Sequence, residues 1–229
     1  MIPSNQHTTE FIHADVQAMA QAVAQRIASL AKQAISARGV FRLALAGGET
    51  PRRCYELLSE LPLDWSRIEF YFGDERCLPV GNTQRNDSMA TMALFDHINI
   101  PAGNIHRIAA ELGADAAAAD YAALLKQVVP LDGVLLGMGE DGHTASLFPG
   151  NPATARDEMA VPVFNAPKSP PERVSLGMST LNRARHKIFL VAGAGKRDAL
   201  QQIAAGAQLP AAQVLGAEWH IDRAAVAIE

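Results

Sequence analysis

The sequence predicts an α/β fold: a single domain with a mostly parallel, Rossmann-like sheet flanked by helices on both faces. Short apolar runs that end in glycine alternate along the 229 residues with longer stretches whose apolar residues recur every three or four positions. Strands that alternate with helices imply parallel pairing, with the connecting helices on both faces of the sheet. Neither a repeat nor a linker interrupts this alternation, so we expect one domain over residues 1–229.

The first predicted helix shows how the elements of the first half are assigned. Its apolar residues share one helical face, and Gly39 closes it as a C-cap. The second helix is expected to begin at Pro51, because proline suits the first helical turn. The predicted elements of this half are, in order, a helix over 14–38, a strand over 41–46, a helix over 51–60, a strand over 68–72, a helix over 86–97 and a short extended piece over 105–108.

In the second half of the chain, prolines recur between residues 149 and 171. They exclude a regular helix, so this stretch is predicted as loop with one extended piece over 160–164. The other predicted elements are a helix over 111–128, strands over 131–136, 173–177 and 187–192, a helix over 195–205 and a last strand over 224–228.

Composition narrows the classes of function. Twenty Lys and Arg against 24 Asp and Glu give a net charge of -4, which argues against a nucleic-acid-coating surface. The apolar runs are too short to span a bilayer, and the N-terminus has no features of a secretion signal. Only Cys54 and Cys77 are present, which argues against a disulfide framework or a cysteine-bound zinc. We therefore expect a cytoplasmic protein without membrane or nucleic-acid partners, either a monomer or a small homo-oligomer.

The loop after the first predicted strand is a candidate phosphate site. Ligands of parallel α/β sheets bind at the carboxyl ends of the strands. Gly47 and Gly48 would allow a ligand to approach the backbone, the following helix offers free N–H groups, and Thr50 adds a hydroxyl donor. The alternative is a tight strand-to-helix turn with Thr50 as an N-cap, binding nothing.

The loop after the strand over 131–136 carries a candidate acid/base. His143 titrates near neutral pH, and Asp141 lies two residues before it, across a glycine that permits a bend. A buried or helix-capping histidine is the alternative. Residues 137–142 also match G-x-G-x-x-G, but Pro149 and Pro152 interrupt the helix that a dinucleotide site requires, so the match does not indicate NAD binding.

Charged residues follow two further predicted strands. Asp74, Glu75 and Arg76 come directly after Gly73, where they form either a surface ion pair or an acid and a cation that face a ligand. Lys196 lies in a predicted first helical turn, where it suits an anion or is a solvated helix lysine. The His spacings and acid clusters that bind metals are not evident in the sequence.

The order of these motifs along the chain is more specific than any one of them. Together they resemble the glucosamine-6-phosphate isomerase/6-phosphogluconolactonase family, and the lactonases within it in particular. The resemblance covers residue 10 to the end and is most specific at 141–149. The motifs that carry it are 45–51 (LAGGETP), 73–76 (GDER), 86–88 (NDS), 137–149 (GMGEDGHTASLFP), 170–173 (PPER), 181–185 (LNRAR) and 193–196 (GAGK).

This resemblance implies an enzyme of the oxidative pentose phosphate pathway with the fold of the sugar-phosphate isomerases and deaminases. It would hydrolyse a sugar-phosphate lactone, 6-phospho-D-glucono-1,5-lactone, to 6-phosphogluconate without a cofactor. His143 would be the acid/base that activates water, with Asp141 or Asp74 as its supporting carboxylate. The residues implied to bind phosphate and substrate are Gly47, Gly48, Thr50, Arg76, Arg173 and Lys196.

Two other functions stay open at this point. A related deaminase or isomerase would act on a different sugar phosphate; the deaminases carry a glutamate before the proline, where this chain has Phe148. A non-catalytic phosphosugar-binding module would use the same loops as a sensor. The source of oxyanion stabilisation is also open, with Arg76 and the N–H groups near 47–48 or 139–142 as candidates.

Overall fold

Nine strands and seven α-helices make up the computed structural model, which describes residues 8–226. The strands are β1 (Thr9–His13), β2 (Phe41–Leu45), β3 (Ile68–Phe72), β4 (Asp74–Arg76), β5 (Gly133–Gly137), β6 (Ala160–Val163), β7 (Arg173–Leu176), β8 (His186–Val191) and β9 (Glu218–Asp222). The helices are α1 (Val16–Arg38), α2 (Glu49–Ser59), α3 (Asn86–Ala93), α4 (Ala114–Leu125), α5 (Met178–Arg183), α6 (Arg197–Ala204) and α7 (Arg223–Val226).

The main sheet has six strands in the order β1-β9-β8-β5-β2-β3, and every pair in it is parallel. From β2 the chain moves to β3 on one side, then returns past β2 to β5 and continues to β8 and β9. Because crossovers are right-handed, this reversal puts the helices of the two halves on opposite faces. It also leaves a crevice where β2 and β5 end. The predicted α/β class is confirmed.

A second, antiparallel sheet with the order β4-β7-β6 lies beside the main one. Gly73 alone separates β3 from β4, and its backbone contacts both sheets: its N–H donates to the Leu45 carbonyl of β2, and its own carbonyl accepts from Leu176 of β7. The sequence predicts extended pieces at β6 and β7 but neither their separate sheet nor the three-residue strand β4. This junction brings both sheets to the same crevice.

The long helix α1 forms as predicted because both of its ends are capped. The Asp15 side chain accepts from the Ala18 N–H at its start, and Gly39 adopts φ 81° at its end and donates to the Ile35 carbonyl. Helix α2 packs against α1 and begins at Glu49, two residues before the predicted start. From α2, the buried Tyr55 hydroxyl bonds to both the N–H and the carbonyl of Ala46, which holds the end of β2.

The C-terminal prediction is wrong in a way that has a physical cause. Instead of a strand over 224–228, the structure has helix α7 after strand β9, while residues 227 and 228 lie outside the described residues. The Asp222 carboxylate accepts from the Ala225 N–H and so starts a helical turn there. The strand β1 was not predicted either, because three of its five residues are exposed and it lacks an apolar run.

Helices α3, α4 and α6 are shorter than predicted. Helix α3 ends at Ala93 before a 3₁₀ turn, and α4 spans Ala114–Leu125 rather than 111–128. Helix α6 follows a 3₁₀ turn at Ala194–Lys196 and begins at Arg197. The extended piece over 105–108 forms only an isolated bridge between Ile105 and Phe70. No helix among residues 8–226 is long and apolar enough to cross a membrane.

Candidate active site

A cleft of about 300 Å³ opens at the carboxyl ends of β2, β3 and β5, at the point where the strand order reverses. The two glycines after β2 border it, and α2 begins there with the free N–H groups of its first turn. Thr50 and Asp141 are not among the described residues that line the cleft. The predicted site residues that do line it are Gly47, Gly48, Asp74, Arg76, His143, Arg173 and Lys196.

His143 and Asp141 form a direct pair. The Nδ1 atom of His143 lies 2.5 Å from Oδ1 of Asp141, and the His143 backbone N–H donates to the same oxygen at 3.2 Å. An ionised carboxylate can only accept, so Nδ1 carries the proton and Nε2 carries the free lone pair. Of the two carboxylates expected near the histidine, Asp141 is the one in direct hydrogen-bond contact with His143.

Burial and charge act in opposite directions on this pair. Burial lowers the pKa of His143 below its ordinary value of 6.5, although Asp141 opposes the shift. Burial alone would raise the pKa of Asp141, but the hydrogen bonds and charge of His143 outweigh it and leave that pKa below its ordinary value. Near neutral pH the histidine is therefore neutral and the aspartate ionised, which is the state that a general base requires.

The glycine-rich loop leaves room for this pair. A Cβ atom on Gly139 would stand 2.0 Å from Nδ1 of His143 and 2.5 Å from Oδ1 of Asp141. The loop closes on itself, because the Gly139 N–H donates to the His143 carbonyl and the Gly142 N–H donates to the Gly139 carbonyl. In this chain the G-x-G-x-x-G segment therefore forms a tight loop in which Gly139 leaves space for the paired His143 and Asp141 side chains.

Asp74 has different partners from those expected. Its carboxylate accepts from the Ser146 hydroxyl at 2.5 Å and from the Asn86 side-chain amide at 3.0 Å. The Asn86 amide also donates to the Asp74 backbone carbonyl and lies so close to Gly47 that a Cβ there would stand 1.9 Å from its Oδ1. Asp74 therefore joins β4, α3 and the His143 loop, while its charge favours the protonated form of His143 from a distance.

Two arginines reach the cleft from the second sheet. Arg76 donates from Nη1 to the Gln84 carbonyl, while its buried Nε has no hydrogen-bond partner among the described residues. Arg173 is buried, and it donates to the carbonyls of Pro170 and Lys168. Buried donors are almost always paired in folded proteins, so the unpaired Nε of Arg76 indicates a site built for a hydrogen-bond acceptor.

The family model described as "Glucosamine-6-phosphate isomerases/6-phosphogluconolactonase" matches residues 14–221 of this chain. This stretch contains every residue that lines the cleft. The chain belongs to this family.

Members of this family resemble the chain over most of its length. A 6-phosphogluconolactonase of Mycobacterium leprae is 36% identical, covering 94% of this chain and 96% of its own. One from Synechocystis is 39% identical over 75% of this chain and 74% of its own. The crystal structure of 6-phosphogluconolactonase from Thermotoga maritima superimposes with a TM-score of 0.87 at 29% identity, covering 94% of this chain and 100% of that one.

Lys168 also lines the cleft of this family member, beside the predicted cations Arg76, Arg173 and Lys196. Lys168 was not predicted as a site residue from the sequence. Burial lowers the pKa of Lys196, and the positive charge of Lys168 lowers it further while Glu140 opposes the shift. The positive charge of Lys168 also lowers the pKa of His143. Both ammonium groups therefore add positive charge to the cleft that His143 also lines, as an anionic ligand would require.

The chain's proline-rich loop explains why Lys168 was missed. Pro167 and Pro170 flank it, and a loop of this composition predicts no particular side-chain direction. The one available signal was that Lys168 is the sole cation between residues 157 and 172.

Asn86 and Ser146 belong to motifs quoted for the family resemblance, but only the fold reveals that both bind Asp74. No group of three or more metal-binding side chains occurs within residues 8–226.

Proposed function

We propose that this chain is a 6-phosphogluconolactonase that hydrolyses 6-phospho-D-glucono-1,5-lactone to 6-phospho-D-gluconate. The observation that carries the proposal is the hydrogen bond between His143 and Asp141 at the edge of a cleft lined by two lysines and two arginines. Curated relatives bearing this enzyme's name at 36% and 39% identity support it. We place the enzyme in the cytoplasm, without a cofactor, and its state as a monomer or small homo-oligomer stays a prediction.

The phosphate of the substrate would bind first and position the lactone ring. Lys168 and Lys196 offer two ammonium groups to the cleft, and the first turn of α2 offers N–H groups at Gly48. Binding energy from this remote group is available to hold the reacting carbon near the base. Thr50 lies in the same helical turn, and its predicted role as a phosphate donor has no support from the cleft lining.

His143 would act as the base. Its Nε2 takes a proton from water as the water oxygen attacks the C1 carbonyl, and the resulting imidazolium is stabilised by the Asp141 carboxylate. The negative charge that develops on the carbonyl oxygen needs donors nearby, and the guanidinium group of Arg76, which lines the cleft, is our candidate. When the C1–O5 bond breaks, the imidazolium returns its proton to the leaving ring oxygen.

Asp74 serves this mechanism as an organiser in our proposal. Each of its carboxylate oxygens already accepts a hydrogen bond, one from Asn86 and one from Ser146, so we assign Asp74 to holding the site and His143 to taking the proton from water. Through Ser146 it fixes the segment that follows His143, and through Asn86 it fixes the start of α3. Substitution of Asp74 would then change the shape of the cleft and the electrostatics around His143 together.

Phe148 favours the lactonase over the related deaminases. Its ring is buried, with a centroid 4.4 Å from that of His143 and 5.4 Å from the guanidinium carbon of Arg173. An apolar ring therefore occupies the position where the deaminases were expected to carry a glutamate. Ring-opening and amine chemistry would lack that acid here, whereas attack of water on a lactone needs a single base.

The decisive experiment follows acid release from freshly prepared 6-phosphogluconolactone in weak buffer. We expect acceleration well above the spontaneous rate, and no ammonia release from glucosamine 6-phosphate. His143→Ala should lower kcat by about 10²- to 10⁴-fold, because general acid–base catalysis contributes that much, while 6-phosphogluconate still binds. Retention of the product without any acceleration by the wild-type chain would instead support the binding-module alternative.

A further inference from the structure

Glu75 lies between two residues of the candidate site but does not line the cleft itself. Its side chain is buried on β4, and its carboxylate accepts three backbone N–H bonds at 2.8 Å. Oε1 accepts from Arg76 and Asn86, and Oε2 accepts from Asp87. The N–H groups of Asn86 and Asp87 belong to the first turn of α3, where they have no partner within the helix. The side chain of Arg85, the residue before the helix, does not cap them. Glu75 therefore caps a helix from a neighbouring strand.

A buried arginine fixes the other side of this junction. The Arg85 guanidinium pairs with the Asp87 carboxylate at 2.7 and 3.0 Å and with Glu111 at 2.8 Å, and its Nε lies 3.9 Å from Oε2 of Glu75. It also donates to the carbonyls of Leu78 and Ile108. Since a buried charge is tolerated only with such partners, this network holds the loop from β4 to α3 in one arrangement.

Both chain segments that Glu75 joins carry cleft residues. Arg76 follows it on β4, and Asn86 opens α3, where its side chain also binds Asp74 and lies against Gly47. We propose that Glu75 is a positioning residue of this active site, which fixes Arg76 and Asn86 by fastening β4 to the first turn of α3. This inference rests on the proposed lactonase function. Neither the contacts of Lys168 nor those of His143 involve Glu75 directly.

The test uses Glu75→Gln in the full-length protein. Glutamine has the same shape, but its NH₂ group would face backbone donors, so the junction must shift. We expect kcat to fall by about tenfold or more, because small misplacements of catalytic groups have effects of this size. KM should change less, since the substitution leaves Lys168 and Lys196 in place. Glu69→Gln is the matched control, because Glu69 pairs with Arg42 at the opposite end of the sheet.

A double-mutant cycle separates positioning from general damage to the fold. If Glu75 acts through Arg76, Glu75→Gln should lose much less activity in an Arg76→Ala background, about threefold or less, because coupled residues are not additive. The same cycle with Asn86→Ala tests the other segment. Equal fold losses of Glu75→Gln in the wild-type, Arg76→Ala and Asn86→Ala backgrounds, or an unchanged kcat in the single variant, would overturn the proposal. If Glu75→Gln is not folded by circular dichroism, Glu75→Asp replaces it in the same cycle, with an intermediate loss of kcat expected. An inactive wild-type chain would contradict the lactonase function instead.

Discussion

The imidazole of His143 lies against the backbone of Gly139, so that a single methyl group on Gly139 would stand 2.0 Å from Nδ1. Gly139→Ala should therefore displace the His143 ring or break its bond to Asp141 while the strands beneath stay folded. We expect kcat to fall by about 100-fold or more, in line with the loss of a general base. Gly103→Ala is the matched control, because a Cβ there meets nothing within 4 Å. Full activity of Gly139→Ala would mean that the His143–Asp141 pair is dispensable.

The pH dependence of kcat/KM should report the protonation of His143. Burial lowers its pKa below 6.5, so activity should rise with pH through a midpoint below 6.5 and then level off. Asp141 raises that pKa, so Asp141→Asn should move the midpoint to lower pH. The same variant should lower the plateau by about 10- to 100-fold, because the imidazolium loses its partner. A midpoint that moved to higher pH would show that Asp141 does not act on His143 as the contact indicates.

Lys168 should distinguish phosphorylated from unphosphorylated lactones. Loss of a charge-assisted hydrogen bond costs about 1.5–3 kcal/mol, so Lys168→Ala should raise KM for 6-phosphogluconolactone by about tenfold or more. Hydrolysis of glucono-1,5-lactone, which lacks the phosphate, should change little in the same variant. Lys126→Ala provides the control, because Lys126 is an exposed lysine at the end of α4. Equal effects on both lactones would assign Lys168 to the reacting end of the substrate.

The buried Arg85 should contribute to stability far more than a surface arginine. Arg85→Met would remove the buried guanidinium from beside Glu75 and Asp87, leaving Asp87 with the more exposed Arg107 at 3.9 Å. We expect the free energy of unfolding to fall by about 3–5 kcal/mol, as for other broken buried ion pairs. Arg52→Met, which removes an exposed pair with Glu49, should change it by less than about 1 kcal/mol. Urea titrations of the two variants beside the wild type measure this difference.

Local patterns predicted most of the main sheet. The strands over 41–46 and 68–72 are found as β2 and β3, because each is an apolar run that becomes buried on both faces. Strand β1 has only partly buried and exposed residues, and what defines it is its pairing with β9, which no local pattern reports. The second sheet was missed for the same reason, since β4 contains three polar residues whose partners lie about a hundred positions later.

The sequence predicted which residues line the candidate site, but not the hydrogen bonds between them. Glycine followed by charged residues at strand ends indicated the cleft, and seven of the nine predicted residues line it. The sequence placed Asp141 two residues from His143 and left Asp74 open as a second partner, because a hydrogen bond depends on distances that spacing does not fix. The position of Lys168 depends on the path of a proline-rich loop, whose carbonyls at Lys168 and Pro170 accept hydrogen bonds from the buried Arg173.

The pairing of β1 with β9 has a consequence for the order of folding. His13 and His220 bond across this edge although they are 207 positions apart, and β1 pairs with β9 at one edge of the six-strand sheet. Bringing such distant segments together costs chain entropy before any contact compensates for it, so this edge should be completed late. The cleft is built wholly from residues 46–196, inside that span. During refolding, catalysis can therefore return while the two ends of the described chain are still apart.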